Sequence, residues 1–175
     1  MGTMIRQVGA LDVAWMRGLA SRHAPRWLDR AFRLLTHLGG ATATLLVGVV
    51  LVLVPATRDL GLAALIANAS SHVVAQALKR RFLRPRPHLV LDALAPLAPI
   101  PDDFSFPSGH ACAATAVAMT LGAALPWVAG LPILLLALFV AASRVYLRVH
   151  FVTDVVVGMV LGLGGAVLGW CVVGR

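Results

Sequence analysis

Residues 104–143 read FSFPSGHACAATAVAMTLGAALPWVAGLPILLLALFVAAS, a run free of Asp, Glu, Lys and Arg. A helix needs about 20 apolar residues to cross the hydrocarbon core of a bilayer, and this run is twice that long. Gly122, Pro126, Gly130 and Pro132 interrupt it, so it is predicted to form two spans joined by a tight turn. Three further charge-free stretches, Leu34–Thr57, Leu60–Leu78 and Val155–Gly174, bring the total to five. The spans fall at approximately 40–55, 60–79, 108–125, 131–147 and 152–172. The fold expected is all-α: one polytopic membrane domain over residues 1–175, with a helical bundle at 40–172 and an interfacial segment at 1–39.

Composition agrees. A hydrophobic fraction of 59% and a mean hydropathy of +0.88 exceed what a soluble domain can bury, since such domains use roughly 45–50% apolar residues. The net charge of +8 lies at the edges of the apolar runs, where lipid headgroups or a phosphate can meet it. It forms no basic stripe, which argues against a nucleic-acid partner. Cys112 and Cys171 sit far apart inside apolar runs and read as buried free thiols. The first forty residues lack the apolar core and small-residue site of a cleavable signal peptide.

From Pro25, the apolar residues Trp27, Leu28, Ala31, Leu35 and Leu38 recur at helical spacing, with Arg26, Asp29, Arg30 and Arg33 between them. That is an amphipathic helix lying in the headgroup plane. Val8–Ala20 is not counted as a span, because Asp12 and Arg17 would fall inside it. The last span carries Gly158, Gly162, Gly164, Gly165 and Gly169, and its doubled Gly-x-x-x-Gly pattern serves either helix packing or a homodimer.

Three polar clusters break the apolar pattern. They are Lys79-Arg80-Arg81-Phe82-Leu83-Arg84-Pro85-Arg86-Pro87, then Pro107-Ser108-Gly109-His110, then Ser143-Arg144 with His150 and Asp154. Taken singly they read as a membrane anchor, a turn and a polar pair. Alternating spans, however, carry the end of span two, the start of three, the end of four and the start of five to one face. Convergence of this kind describes a site.

The residue types suit a phosphoryl group. Lys79, Arg86 and Arg144 can surround it and neutralise its charge in the transition state. The Ser108–Gly109 turn offers backbone N–H groups at a helix start. Of His110 and His150, one can attack phosphorus while the other protonates the leaving oxygen. Asp154, one turn beyond His150, can hold one ring proton and free the other nitrogen. No carboxylate cluster or Cys/His set calls for a metal, and no cofactor is expected.

Lys79-x6-Arg86-Pro87, Pro107-Ser108-Gly109-His110 and Ser143-Arg144-x5-His150-x3-Asp154 resemble, in order and at each motif position, the three signatures of the type 2 phosphatidic acid phosphatases. The superfamily includes the vanadium-dependent haloperoxidases, and the resemblance covers roughly residues 40–172. It implies an integral-membrane lipid phosphatase with His150 as the nucleophile of a phosphohistidine, Asp154 as its orienting partner and His110 as general acid. Lys79, Arg86, Ser108, Gly109 and Arg144 would hold the phosphate. Arg148 stands where many relatives carry glycine, and is read as a contact to a headgroup or a second phosphate.

The substrates implied are undecaprenyl diphosphate, phosphatidic acid or phosphatidylglycerol phosphate, and polyprenyl-phosphate sugar phosphates. The segment from His88 to Phe104 is read as the mouth of the site and the seat of headgroup selection. Haloperoxidase chemistry, or a membrane scaffold or channel with a vestigial site, is the alternative. Sidedness divides the readings. Thirteen of the fifteen Lys and Arg residues fall on the active-site face, with Arg58 and Arg175 opposite, which by the positive-inside rule is cytoplasmic. The resemblance instead implies a multi-pass protein of the cell membrane with its site facing outward.

Overall fold

The computed structural model describes residues 2–21, 24–92, 94–100 and 102–174. Among them the chain forms eight α-helices: α1 (Gly2–Ala20), α2 (Arg26–Thr36), α3 (Ala41–Leu53), α4 (Arg58–Phe82), α5 (Pro87–Val90), α6 (Gly109–Ala124), α7 (Trp127–Tyr146) and α8 (Val152–Val173). No strand occurs among the described residues, and a single antiparallel bridge joins Pro85 to Phe104. Arg22 and Arg175, both part of the charge count, lie outside the described residues, as do Ala93 and Pro101 in the 88–104 segment.

The small-residue helix α6 is the axis of the bundle, with Ala111, Ala113, Ala114, Ala116 and Ala118 all buried. Short side chains let α8, α7 and α4 close round it. The glycines of α8 explain its two most extensive contacts. A Cβ at Gly158 or Gly162 would come within 2.5 Å of the Ser108 carbonyl oxygen or 2.4 Å of that of Cys112, on α6 and its cap. At Gly165 and Gly169 it would meet the carbonyl oxygens of Ala67 and Ala63 on α4, at 2.4 and 2.3 Å. Both Gly-x-x-x-Gly repeats are therefore occupied inside the chain, and Gly164 alone among these five faces outward.

Among the described residues, three helical segments have the length and apolarity to cross a membrane: Pro55–Phe82, Trp127–Tyr146 and Val152–Val173. A fourth is made by Arg26–Gly39 with Ala41–Leu53 if the pair, bent by 49°, counts as one. The expected third span, α6, has 16 residues and falls short of that length. The chain is thus an all-helical, multi-pass membrane protein. One boundary moves: α7 begins at Trp127 rather than 131, and Pro132 lies inside it. Pro126 caps that helix, so the turn is shorter than the Gly/Pro pattern implied.

The N-terminal segment forms two helices. α2 is amphipathic as read from the sequence, starting after Pro25, with Trp27 and Leu34 exposed on its apolar side and Leu35 packed against the bundle. α1 covers the stretch not counted as a span, and it packs against the bundle. Its Met16 is buried with Leu91, Leu94 and Phe151, and its Asp12 is buried because Arg84 and Thr153 bond it. A charge that counted against insertion is here a paired one.

Candidate active site

All the motif residues lie at one end of the bundle. A cavity of about 610 Å³ opens there between α3, α4 and α6, and Lys79, Arg86, Gly109, His110, Arg144 and His150 line it. Each is delivered by a helix end. Lys79 sits in the last turn of α4, which stops where Leu83 enters the left-handed region (φ 46°). The chain then runs through Arg84-Pro85-Arg86-Pro87, where the prolines forbid a continued helix. His110 is the second residue of α6, Arg144 is in the last turn of α7, and His150 lies in the turn before α8.

His150 is 3% exposed. Its Nδ1 lies 2.6 Å from the Ser105 carbonyl oxygen, which can only accept, so Nδ1 carries the proton. Nε2 is then unprotonated, 3.3 Å from Nη1 of Arg86, with its lone pair available to an electrophile. Asp154 is 3.7 Å from Nδ1, too far for a hydrogen bond, and acts on the ring by charge. Burial, foremost, lowers the His150 pKa to about 4, aided by Arg144 and Arg86 and opposed by Asp154. The imidazole is neutral near pH 7, the state that an attacking imidazole would need.

Asp154 is fully buried and well held. Its Oδ2 accepts from the Phe151 N–H at 2.8 Å, capping α8, and its Oδ1 accepts from Nη1 of Arg84 at 2.7 Å. Arg84 also bonds Thr153 Oγ1 at 2.7 Å and Asp12 Oδ2 at 2.8 Å, and stacks 4.2 Å over the Phe151 ring. Asp12 in turn accepts from the hydroxyl and backbone N–H of Thr153. Arg84 thus lies outside the lining of the cavity and couples α1 to the carboxylate beside His150. Its place in the basic run of cluster one gave no sign of this.

The cations show what an anion would find. Arg86, 1% exposed, is fixed by the Val149 carbonyl at 2.8 Å and by the backbone and carboxylate of Asp102. Arg144 reaches Thr36 Oγ1 at 2.6 Å, while its buried Nε has no partner. Lys79 meets Asp102 Oδ2 at 3.0 Å. Asp102 therefore bridges two of the three cations expected to bind phosphate. Burial raises its pKa, but the bond and charge of Lys79, then those of Arg86, leave it below the usual carboxylate range.

Of the Ser108–Gly109 turn, Gly109 lines the cavity. Ser108 is buried: its Oγ accepts from Ala111 N as the N-cap of α6, and its own N–H donates to the Asp154 carbonyl at 3.0 Å. Arg148 is not among the residues lining the cavity. Its backbone is left-handed (φ 61°), a conformation glycine adopts without strain and other residues adopt at a cost. Among the described residues no group of three or more His, Cys, Asp or Glu is placed to hold a metal ion.

The chain is similar to known proteins. The chain is 35% identical over 155 residues to phosphatidylglycerophosphatase B of Bacillus subtilis, covering 78% of this chain and 71% of that protein. It is 34% identical over 109 residues to an undecaprenyl-diphosphatase of Sulfolobus acidocaldarius, covering 61% of this chain and about half (52%) of the relative. The crystal structure of Aquifex aeolicus LpxE superposes with a TM-score of 0.82 at 25% identity, covering 92% of this chain and 95% of that one. The model of the PAP2 superfamily matches residues 60–175, a stretch that holds all three polar clusters and the cavity's charged walls, and the chain belongs to that superfamily.

Proposed function

We propose that this protein is a lipid phosphatase of the cell membrane that releases phosphate through a phosphohistidine on His150. The observation that carries the reading is the meeting of an unprotonated His150 Nε2 with Lys79, Arg86, Arg144 and His110 in one cavity. It acts as a phosphoric ester hydrolase. The relatives' names, an undecaprenyl-diphosphatase and a phosphatidylglycerophosphatase, support a lipid phosphate as substrate.

In the first step Nε2 attacks phosphorus and the bond from phosphorus to the lipid oxygen breaks. His110 gives that oxygen its proton, while Lys79, Arg86 and Arg144 neutralise the charge gathered on the equatorial oxygens. In the second step His110, now a base, takes a proton from water. Water oxygen bonds phosphorus, the phosphorus–nitrogen bond breaks and inorganic phosphate leaves. Asp154 stabilises the imidazolium character of His150 during the first step.

We read the bundle as five spans, with α3 and α6 crossing despite their shortness, a topology that would set these groups on one membrane face, and we assign that face to the outside of the cell. A substituted-cysteine accessibility test in the 88–104 segment checks that assignment; labelling from the inside alone would reverse it. For the activity, purified protein in detergent should release phosphate from lipid phosphates, unaffected by EDTA and inhibited by vanadate. His150→Ala should abolish release. An undiminished His150→Ala variant would refute the mechanism, and a wild type inert toward every lipid phosphate would leave the scaffold reading.

A further inference from the structure

The cavity extends past the phosphate cations along α4, and its wall there carries polar side chains that no step of the hydrolysis uses. Asn68, His72 and Gln76 lie on the same face as Lys79, spaced at helical repeats. Asn68 has a structural partner, Thr44 Oγ1 of α3 at 3.1 Å. His72 and Gln76 bond each other, Nε2 to Nε2 at 3.3 Å. An amide nitrogen can only donate, so the His72 nitrogen accepts and its ring proton sits on Nδ1. The pair in this arrangement is uncharged, and it keeps the Gln76 carbonyl oxygen and second amide hydrogen for another molecule.

Depth identifies what that molecule offers. At 1.5 Å per residue, Gln76 and His72 stand about 5 and 10 Å beyond Lys79, toward the Arg58 end of the helix. That is inside the span, where polar side chains such as a histidine and a glutamine are unfavourable and mark a function by default. A substrate whose phosphate lies among Lys79, Arg86 and Arg144 reaches this depth with the atoms that follow the phosphate. In a polyprenyl phosphate those atoms are hydrocarbon. In a glycerol-based lipid they are ether or ester oxygens and acyl carbonyls, neutral groups that match an uncharged donor–acceptor pair. A further phosphoryl group would instead call for a cation at this level, and the wall beside the pair consists of Ala69, Val73, Ala41 and Leu45.

We propose that His72 and Gln76 form a second polar subsite that hydrogen-bonds the glycerol-ester region of a diacylglycerol-type phosphate, and so sets the preference of the enzyme for glycerolipids over polyprenyl phosphates. The proposal rests on the phosphatase reading above.

The test is a preference ratio, measured on the full-length protein in detergent. Its substrates are a diacylglycerol phosphate and an unbranched alkyl monophosphate of matched chain length without ester groups. The wild type should favour the ester-bearing lipid in kcat/KM by about tenfold or more. His72→Leu and Gln76→Leu, singly and together, keep the span apolar and should bring the ratio toward one, chiefly by raising KM for the ester lipid. His72→Gln should retain most of the preference. A wild type without preference, or Leu variants with an unchanged ratio, would overturn the subsite. If the wild type hydrolyses neither substrate, the phosphatase reading itself fails, an outcome distinct from loss of preference.

Discussion

Asp102 pairs with both Lys79 and Arg86, two of the cations proposed to hold phosphate, so on that reading its charge competes with substrate and with product phosphate. Asp102→Asn removes that charge and the contact to Lys79. A remaining amide oxygen can still accept from the Phe104 N–H and Arg86, as Oδ1 does at 3.0 Å each. The Asp102 side chain is 38% exposed, so each ion pair is discounted to the range of surface pairs, about 0.2–1 kcal/mol. Two such pairs amount to about 1 kcal/mol, or roughly a fivefold change in anion affinity. The assay is the inhibition constant of inorganic phosphate and of vanadate, measured with wild type and variant under the same salt, since exposed charges are screened. Both constants should fall by about fivefold. Constants that stay level or rise would show that Asp102 helps to hold the cradle and does not compete for it.

Other perturbations address other parts of the site. With the His150 pKa at about 4, kcat should hold steady as pH falls from 7 to 5 and then drop below about 4, because protonated imidazole has no lone pair to attack with. A limb near the ordinary histidine value of 6.5 would contradict the burial argument. Arg84→Ala leaves Asp12 and Asp154 buried without their shared cation, which should cost about 3 kcal/mol of stability and lower kcat more than it changes KM. A variant of wild-type kcat would remove Arg84 from any part in positioning Asp154. Arg148→Gly should be more stable than Arg148→Ala by about 1 kcal/mol in thermal unfolding, since both lose the side chain and only glycine relaxes at φ 61°. Equal melting temperatures would deny that strain.

Much of this was legible in the sequence because bilayers tolerate few exceptions. Charge-free runs located α4, α7 and α8 closely, and the alternation of spans alone brought Lys79, Arg86, His110, Arg144 and His150 together. What escaped the sequence depends on partners rather than residue types. Asp12 read as a charge to be kept from the membrane and Arg84 as one more member of a basic run, yet each is the other's counter-ion. The orienting group nearest His150 is a backbone carbonyl, that of Ser105, and carbonyls leave no trace in residue identity. Arg148 was read through its guanidinium, and its left-handed φ angle is a further feature that residue type alone does not reveal. The α8 glycines were left open between helix packing and a homodimer, and only the structure shows that four of them pack on α6 and α4 of the same chain.

The central claim is that His150 takes the phosphoryl group from a lipid. Rapid-quench mass spectrometry under alkaline conditions, on enzyme mixed with a lipid phosphate, tests it directly. The account predicts an acid-labile phosphate on the peptide carrying His150 during turnover, and none in His150→Ala. Turnover that proceeds with no phosphate on His150 at any quench time, or with the label on another residue, would contradict it.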